Sequence, residues 1–160
     1  MTRYSAAMRG GMPALQSFQI IESFHGTVAD YIRYAKPAVP TYLLDQDILA
    51  ADARRFVSAF PGKAAYAVKC NPDEAVLKTL YKNGVRSFDV ASMAEIALCR
   101  KVAPKAALYY MHPVKSPESI RAAYFNYGVR AFVLDTEDEL YKFIRETKLA
   151  SDLELYVRLR

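Results

Sequence analysis

Two stretches of seven residues nearly repeat each other in this chain of 160 residues. Residues 83–89 read Asn-Gly-Val-Arg-Ser-Phe-Asp, and residues 127–133 read Tyr-Gly-Val-Arg-Ala-Phe-Val. In each, a glycine closes a helical pattern and a short apolar run follows, which is typical of a strand. The two stretches therefore predict the same helix-to-strand joint at two places, as in an α/β protein built from repeated units.

The repeat extends through most of the chain. Polar residues follow the predicted strands at intervals of 20, 23, 23 and 23 residues, namely Lys69, Asp89, His112, Asp135 and Arg158. This is the length of one strand–helix unit, and short connections between such units give a parallel sheet with right-handed crossovers. The regular spacing favours the N-terminal portion of a (β/α)8 TIM barrel, with an open doubly wound sheet as the alternative.

The individual elements follow from periodicity and from helix start and stop signals. Strands are predicted over residues 40–45, 64–69, 86–90, 106–111, 130–134 and 153–159. The helix after the first strand ends at Pro61-Gly62, and the next helix covers about residues 73–82. Later helices begin at the capping boxes Ser92/Glu95 and Thr136/Glu139 and at Pro117, which lies in a first turn.

The periodic pattern also suggests two divisions of the chain. Residues 1–39 lack sustained periodicity, and we interpret them as an N-terminal arm with one short helix or strand near residues 28–34. Residues 40–160 are then an incomplete barrel, because a complete barrel needs about 250 residues. We expect the chain to be the N-terminal part of a larger protein.

Composition restricts the class of protein. The net charge of +5 is spread along the chain without a Lys/Arg run or a zinc-ligand spacing, which argues against nucleic-acid binding and against a metal site. No apolar run approaches the length of about 20 residues that spans a bilayer, so we expect no membrane partner. Cys70 and Cys99 are too few for a disulfide framework, which indicates a reducing, cytoplasmic compartment.

Lys69 is the most informative candidate residue. It follows an apolar run in residues 64–72, which read Ala-Ala-Tyr-Ala-Val-Lys-Cys-Asn-Pro. In a parallel α/β protein this places a primary amine at the carboxyl end of a strand, where such folds bind ligands. A lysine in this position can form an imine with an aldehyde cofactor, although a lysine that ends a strand is usually a solvated loop residue.

Six sequence motifs follow one another along the chain. They are Pro-Thr-Tyr-Leu-Leu-Asp (40–45), Tyr-Ala-Val-Lys-Cys-Asn (66–71), Phe-Asp-Val-Ala-Ser-x-x-Glu (88–95), His-Pro-Val-Lys-Ser (112–116), Phe-Val-Leu-Asp (132–135) and Val-Arg-Leu (157–159). In order and spacing they resemble the N-terminal barrel half of the ornithine/diaminopimelate/arginine decarboxylases, which are alanine-racemase-like, fold-type-III pyridoxal-phosphate enzymes. The resemblance covers about residues 35–160. Within the family, the motif at 112–116 together with Tyr-Gly-Val-Arg (127–130) is most similar to bacterial ornithine or lysine/ornithine decarboxylases.

The resemblance implies that Lys69 is the catalytic residue and binds pyridoxal 5'-phosphate through an imine. It also implies cofactor contacts for three further residues, each of which has a structural alternative. Asp89 would place an anion beside the lysine, or it caps a loop. Glu95 lies near the cofactor in similar enzymes, but it is also the N3 residue of a capping box. Arg158 would reach the cofactor ring or its phenolate oxygen, or it is a terminal arginine that lies along the surface.

Four other residues have side chains that could take part in chemistry, but we assign no catalytic role to them. His112 precedes a proline and is interpreted as structural, Lys115 as a loop cation without assignable chemistry, and Cys70 and Cys99 as packing residues. The resemblance implies that the groups for the phosphate, the pyridine nitrogen and the substrate amine come from the second half of the barrel and from a C-terminal β-domain. Some of these groups would cross a homodimer interface.

The leading functional hypothesis is decarboxylation of ornithine and/or lysine to a diamine in polyamine biosynthesis, with the amino acid as the small-molecule partner. A diaminopimelate decarboxylase or another fold-type-III relative is the second hypothesis. A non-catalytic homologue that keeps the fold for binding is the third. In each case we expect the isolated 160 residues to be inactive.

Overall fold

The computed structural model describes residues 3–8 and 20–159, with side chains from residue 23 onward. The strands in this part are β1 (Arg3–Met8), β2 (Ile20–His25), β3 (Thr41–Asp45), β4 (Ala65–Ala67), β5 (Ser87–Val90), β6 (Ala107–Tyr110), β7 (Ala131–Leu134) and β8 (Glu154–Val157). They form two sheets. The first is antiparallel with the order β2-β1-β3, and the second is parallel with the order β4-β5-β6-β7-β8.

The helices begin where the sequence supplies a capping side chain. In every α-helix of the described region, the N-cap side chain accepts a hydrogen bond from a backbone N–H of the first turn, which confirms the predicted starts at Ser92 and Thr136. No helix in that region is long and apolar enough to cross a membrane. The helices are α1 (Val28–Ala35), α2 (Gln46–Ala59), α3 (Glu74–Lys82), α4 (Met93–Val102), α5 (Pro117–Phe125) and α6 (Glu137–Glu146).

The parallel sheet has the strand order of the first part of a (β/α)8 barrel. Each strand pairs with the next strand along the chain, and a helix covers each connection. This confirms the predicted fold class. Alternate residues of the strands face the helices and form the core, such as Phe88, Leu108 and Phe132. The alternate positions between them include Asp89 and Tyr109, which are aligned in the register of the sheet.

The repeated sequence stretches form the same joint twice. Arg86 donates from Nη1 to the carbonyl of Tyr81 and lies over the Tyr81 ring, with 5.0 Å between the guanidinium carbon and the ring centroid. Arg130 donates from Nη1 to the carbonyl of Tyr124 at 3.0 Å and lies over that ring at 4.0 Å. Each arginine also bonds the carbonyl of the valine before it. The repeated stretch therefore ends a helix and leads into the amino end of the following strand.

Three predicted strands differ from those observed in their pairing or by more than one residue at an end. The segment predicted as a strand over 40–45 forms β3, but it pairs with β1 in the antiparallel sheet and not with the parallel strands. The strand predicted over 64–69 ends at residue 67, because a 3₁₀ turn, Val68–Cys70, follows it. The strand predicted over 153–159 covers only residues 154–157. The short element near residues 28–34 is a helix, α1, but residues 1–39 also contain β1 and β2, which the sequence pattern did not predict. The division at residue 39 stays a prediction.

Candidate active site

Lys69 lies on the 3₁₀ turn that directly follows β4. Val68, the first residue of the turn, is completely buried and anchors the turn against the core, whereas Lys69 is exposed. The turn therefore presents a primary amine at the carboxyl end of the parallel sheet. The amine is accessible to a ligand, although it does not belong to the strand itself.

The chain turns away immediately after Lys69. The Asn71 side chain accepts a hydrogen bond from the backbone N–H of Asp73 at 3.1 Å, and the Asp73 carboxylate caps α3 by accepting from Ala75 at 2.7 Å. Because Pro72 lies between these two side chains, the connection has little freedom. These local bonds fix the position of the Lys69 backbone relative to the start of α3.

Asp89 is the electrostatic neighbour of Lys69. It is the third residue of β5, it pairs with Ala67 of β4, and its side chain is half-buried. Burial raises the pKa of the Asp89 carboxyl group, and the positive charge of Lys69 opposes this increase. The fold thus brings an amine and a carboxyl group together across two neighbouring strands, as their places in the sequence predict. The cofactor contact of Asp89 stays a prediction.

Glu95 takes only half of the predicted capping box. Its backbone N–H donates to the Ser92 hydroxyl at 3.3 Å, but its carboxylate accepts from the backbone N–H of Ala91 at 2.8 Å, one residue before the N-cap. The side chain therefore fixes the loop between β5 and α4, next to the strand end that carries Asp89. Whether it also contacts a cofactor stays a prediction.

Arg158 follows β8 and extends its pairing, because its backbone N–H donates to the carbonyl of Leu134 at 2.9 Å. Its side chain is exposed. The residue lies at the same end of the sheet as Lys69 and Asp89, but three strands lie between β8 and β4, and two lie between β8 and β5, which carries Asp89. A contact between its guanidinium group and a cofactor stays a prediction.

The remaining candidates divide into exposed and buried groups. His112 and Cys70 are exposed, and Cys99 is completely buried. Burial raises the pKa of the Cys99 thiol to about 11, so the thiol is protonated at neutral pH and packs as an apolar group.

Lys115 is more buried and has more hydrogen-bond partners than its sequence predicts. We interpreted it as a loop cation, but only 3% of its surface is exposed and its Nζ donates to three backbone carbonyls. The three acceptors come from the loop between β6 and α5 and from the end of β7. The motif His-Pro-Val-Lys-Ser does not predict this burial, because one of the acceptors, the carbonyl of Val133, lies 18 residues further along the chain.

The match to known proteins decides the family. The family described as "Pyridoxal-dependent decarboxylase, pyridoxal binding domain" matches residues 46–160, which include the whole parallel sheet and its helices. The chain belongs to this family. Its cofactor is pyridoxal phosphate, and its homologues include amino-acid decarboxylases as well as antizyme inhibitor 2 of Xenopus laevis, to which the chain is 42% identical over 94 residues.

Individual relatives agree with this assignment. The chain is 39% identical over 98 residues to ornithine decarboxylase of Neurospora crassa, covering 61% of this chain and 19% of that protein. It is 35% identical over 108 residues to diaminopimelate decarboxylase of Actinosynnema pretiosum, covering 66% of this chain and 24% of the relative. The structure of lysine/ornithine decarboxylase from Vibrio vulnificus, complexed with putrescine, superimposes with a TM-score of 0.61 at 33% identity, covering 71% of this chain and 31% of that one. The chain thus spans about a quarter of the length of these curated relatives.

The residues at the carboxyl end of the sheet fit pyridoxal phosphate in part. An aldehyde cofactor needs an accessible primary amine, and Lys69 supplies one beside the carboxyl group of Asp89. A phosphate group is commonly bound by a glycine-rich loop before a helix. Within residues 20–159 of the structure no glycine-rich loop precedes a helix, and Gly84 and Gly128 lie at the opposite end of the sheet.

Proposed function

We propose that this chain binds pyridoxal phosphate at Lys69 and serves in the decarboxylation of a basic amino acid, ornithine or lysine, to a diamine. The observation that carries the proposal is the exposed amine of Lys69 beside the half-buried carboxyl group of Asp89, at the carboxyl end of a parallel sheet. Because the chain spans about a quarter of its relatives, we propose that it acts as the N-terminal part of a longer protein.

Each residue of the site has a distinct task in this proposal. Lys69 would hold the cofactor through its Nζ atom, and the buried side chain of Val68 anchors the turn that carries it. Asp89 places a carboxyl group near this nitrogen, where it can interact with positive charge. Glu95 fixes the adjacent loop through Ala91, and Arg158 would bring positive charge from the far strand. When bound, pyridoxal phosphate supplies an electron sink for the electron pair that remains when CO2 leaves.

The substrate class is proposed from the relatives. One is named ornithine decarboxylase, and the superimposed structure is a lysine/ornithine decarboxylase with putrescine. We therefore propose ornithine or lysine as substrate, a role in polyamine synthesis, a homodimeric full-length protein and a cytoplasmic location. The match to a diaminopimelate decarboxylase supports a second candidate substrate.

The decisive experiment uses the full-length gene product and three variants. With the wild-type protein we expect an absorbance near 420 nm, on the order of that of a protein-bound imine of the cofactor, and release of CO2. Lys69→Ala abolishes both, and Lys69→Arg does not restore them, because a guanidinium group stays protonated. Lys78→Ala, which removes an exposed lysine from α3, is the matched control and retains both signals.

The same assay distinguishes the competing functions. CO2 release is measured from ornithine, lysine and diaminopimelate side by side, and the preferred substrate names the subclass. A protein that folds but shows neither the absorbance nor CO2 release is a non-catalytic homologue. Turnover that survives in Lys69→Ala contradicts the assignment of Lys69.

A further inference from the structure

The side chain of Lys115 closes a loop at the carboxyl end of the sheet. Its Nζ donates to the carbonyls of His112 at 2.5 Å, Pro113 at 3.1 Å and Val133 at 2.6 Å. His112 and Pro113 belong to the loop between β6 and α5, and Val133 belongs to β7. One ammonium group thus uses its three N–H bonds to join two parts of the chain.

The surroundings of this ammonium group fit a cation. Nζ lies 5.4 Å from the centroid of the Tyr110 ring and 5.0 Å from that of Phe143, so two aromatic faces flank it. Burial disfavours the charge and lowers the pKa of Lys115, an effect that the carboxyl groups of Glu139 and Asp135 oppose and the ammonium group of Lys142 adds to. A buried ammonium group is costly unless such partners compensate for the lost hydration. Here the compensation comes mainly from backbone carbonyls.

A second lysine holds the same loop from the side of α6. Nζ of Lys142 donates to the carbonyl of Lys115 at 2.8 Å and to Oε1 of Glu139 at 2.6 Å. At its other end, the backbone N–H of Met111 donates to the carbonyl of Val90 at 3.0 Å, which ties the loop to β5. Residues 111–116 are therefore attached to both neighbouring strands and to α6.

The attached loop forms part of the rim around the candidate site. It carries the exposed His112, and β6 lies two strands away from β4, whose end carries Lys69. Adjacent strands are about 4.8 Å apart, so the start of the loop at the end of β6 lies about 10 Å from the end of β4, which carries Lys69. That separation suits the far end of a bound amino acid and not the atoms that react at Lys69.

We propose that Lys115 is a positioning residue, which binds three backbone carbonyls to hold the loop 111–116 as a fixed wall of the substrate entrance. This proposal rests on the proposed function for its consequence, but not for the attachment itself. Lys115 acts through the loop and through His112, because its buried Nζ already donates to three backbone carbonyls. Its loss raises the KM for the amino acid and leaves kcat nearly unchanged.

The attachment is tested first on the full-length protein without cofactor. Hydrogen–deuterium exchange of residues 111–116 is compared among wild type, Lys115→Met and Lys105→Met. Met keeps the volume of the lysine but removes its donors, and Lys105 is an exposed lysine at the opposite end of β6. We expect exchange in this loop to rise about tenfold in Lys115→Met, as for the loss of one to two buried hydrogen bonds. Unchanged exchange overturns the proposal.

A rescue experiment asks whether the ammonium group is the cause. In Lys115→Ala, the deleted atoms correspond to n-propylammonium, which can enter the cradle of carbonyls and aromatic rings. We expect millimolar n-propylammonium to restore slow exchange in the loop. Tetramethylammonium has the same charge but no N–H donor, and it has no such effect. Equal effects of the two ions, or none, overturn the role of the three carbonyl bonds.

The kinetic consequence is measured on the cofactor-loaded protein. Lys115→Met and His112→Ala are each expected to raise KM about fivefold to tenfold, with kcat within about twofold of wild type and an unchanged imine absorbance. A normal KM in Lys115→Met despite faster exchange would show that the lysine only stabilises the fold, and would overturn the positioning role. Absence of turnover in the wild-type protein refutes the proposed function instead, while the exchange experiment still decides the attachment.

Discussion

Asp89 and Lys69 are electrostatic partners across the first two strands of the parallel sheet. Burial raises the pKa of the Asp89 carboxyl group, and the positive charge of Lys69 opposes this increase. Neither residue lies close to the other in the sequence, but the pairing of Ala67 with Asp89 brings the two strand ends together. The site therefore begins with one amine and one carboxyl group that already interact before any ligand binds.

The first prediction concerns the charge of Asp89, which the substitution Asp89→Asn removes while it keeps the shape of the side chain. We expect Asp89→Asn to weaken pyridoxal phosphate binding by about tenfold, because the amide cannot stabilise a cation on Lys69. The dissociation constant is measured by absorbance titration of the full-length protein. Asp52→Asn on the exposed surface of α2 serves as the control and binds like wild type. An unchanged affinity in Asp89→Asn would return Asp89 to a structural role.

The second prediction concerns how the contribution of Lys115 to the free energy of unfolding depends on pH. Burial lowers the pKa of Lys115 to about 8 from the 10.5 of an unperturbed lysine, so between these values the unfolded chain binds more protons than the folded chain. The free energy of unfolding of wild type should therefore rise relative to Lys115→Met as the pH increases from about 8 to about 10.5. The gain is up to about 3 kcal/mol.

This gain is measured by urea unfolding of both proteins at several pH values. The relative stability is expected to be constant below about pH 7, where the lysine is protonated in both states. Parallel curves for wild type and Lys115→Met across the alkaline range would contradict the perturbed pKa.

The third prediction compares the two repeated joints. Both Arg86 and Arg130 bond backbone carbonyls and lie over a tyrosine ring, but Arg130 also pairs with Asp152 at 2.6 Å. We expect Arg130→Met to destabilise the protein by about 2 kcal/mol and Arg86→Met by about 1 kcal/mol.

Chemical denaturation measures both differences. Arg55→Met, which removes an exposed arginine from α2, is the control and changes the stability by less than about 0.5 kcal/mol. The interpretation of the joint as a repeated structural device fails if Arg86→Met and Arg130→Met behave like this control.

The fourth prediction concerns residues 1–160 expressed alone. Val157 is 66% exposed and Leu159 is 88% exposed, and β8 is paired on one side only in the described sheet. Unpaired strand edges and exposed apolar side chains promote association. We expect the isolated chain to self-associate on size-exclusion chromatography and to release no CO2 from ornithine or lysine. A monodisperse monomer with measurable turnover would contradict both expectations.

The parts of the fold that the sequence predicted are those that neighbouring residues determine. The helix starts at Ser92 and Thr136 depend on a hydroxyl group and a backbone N–H three residues later. The joints at Gly84 and Gly128 depend on a positive φ angle, which glycine adopts without strain. Regular repetition of such local signals is sufficient to predict a parallel sheet, and it places Lys69 and Asp89 at the same end of that sheet.

The tertiary structure decided the features that depend on distant residues. β3 has the composition of any short strand, and only its pairing with residues 3–8 places it outside the parallel sheet. Glu95 satisfies the amide of Ala91 and not that of its own N-cap, because the loop after β5 brings this donor closer. Lys115 is charged and lies in a polar motif, so its sequence predicts exposure. It is buried because Val133 and the ring of Phe143, 18 and 28 residues away in the chain, supply partners that no local pattern encodes.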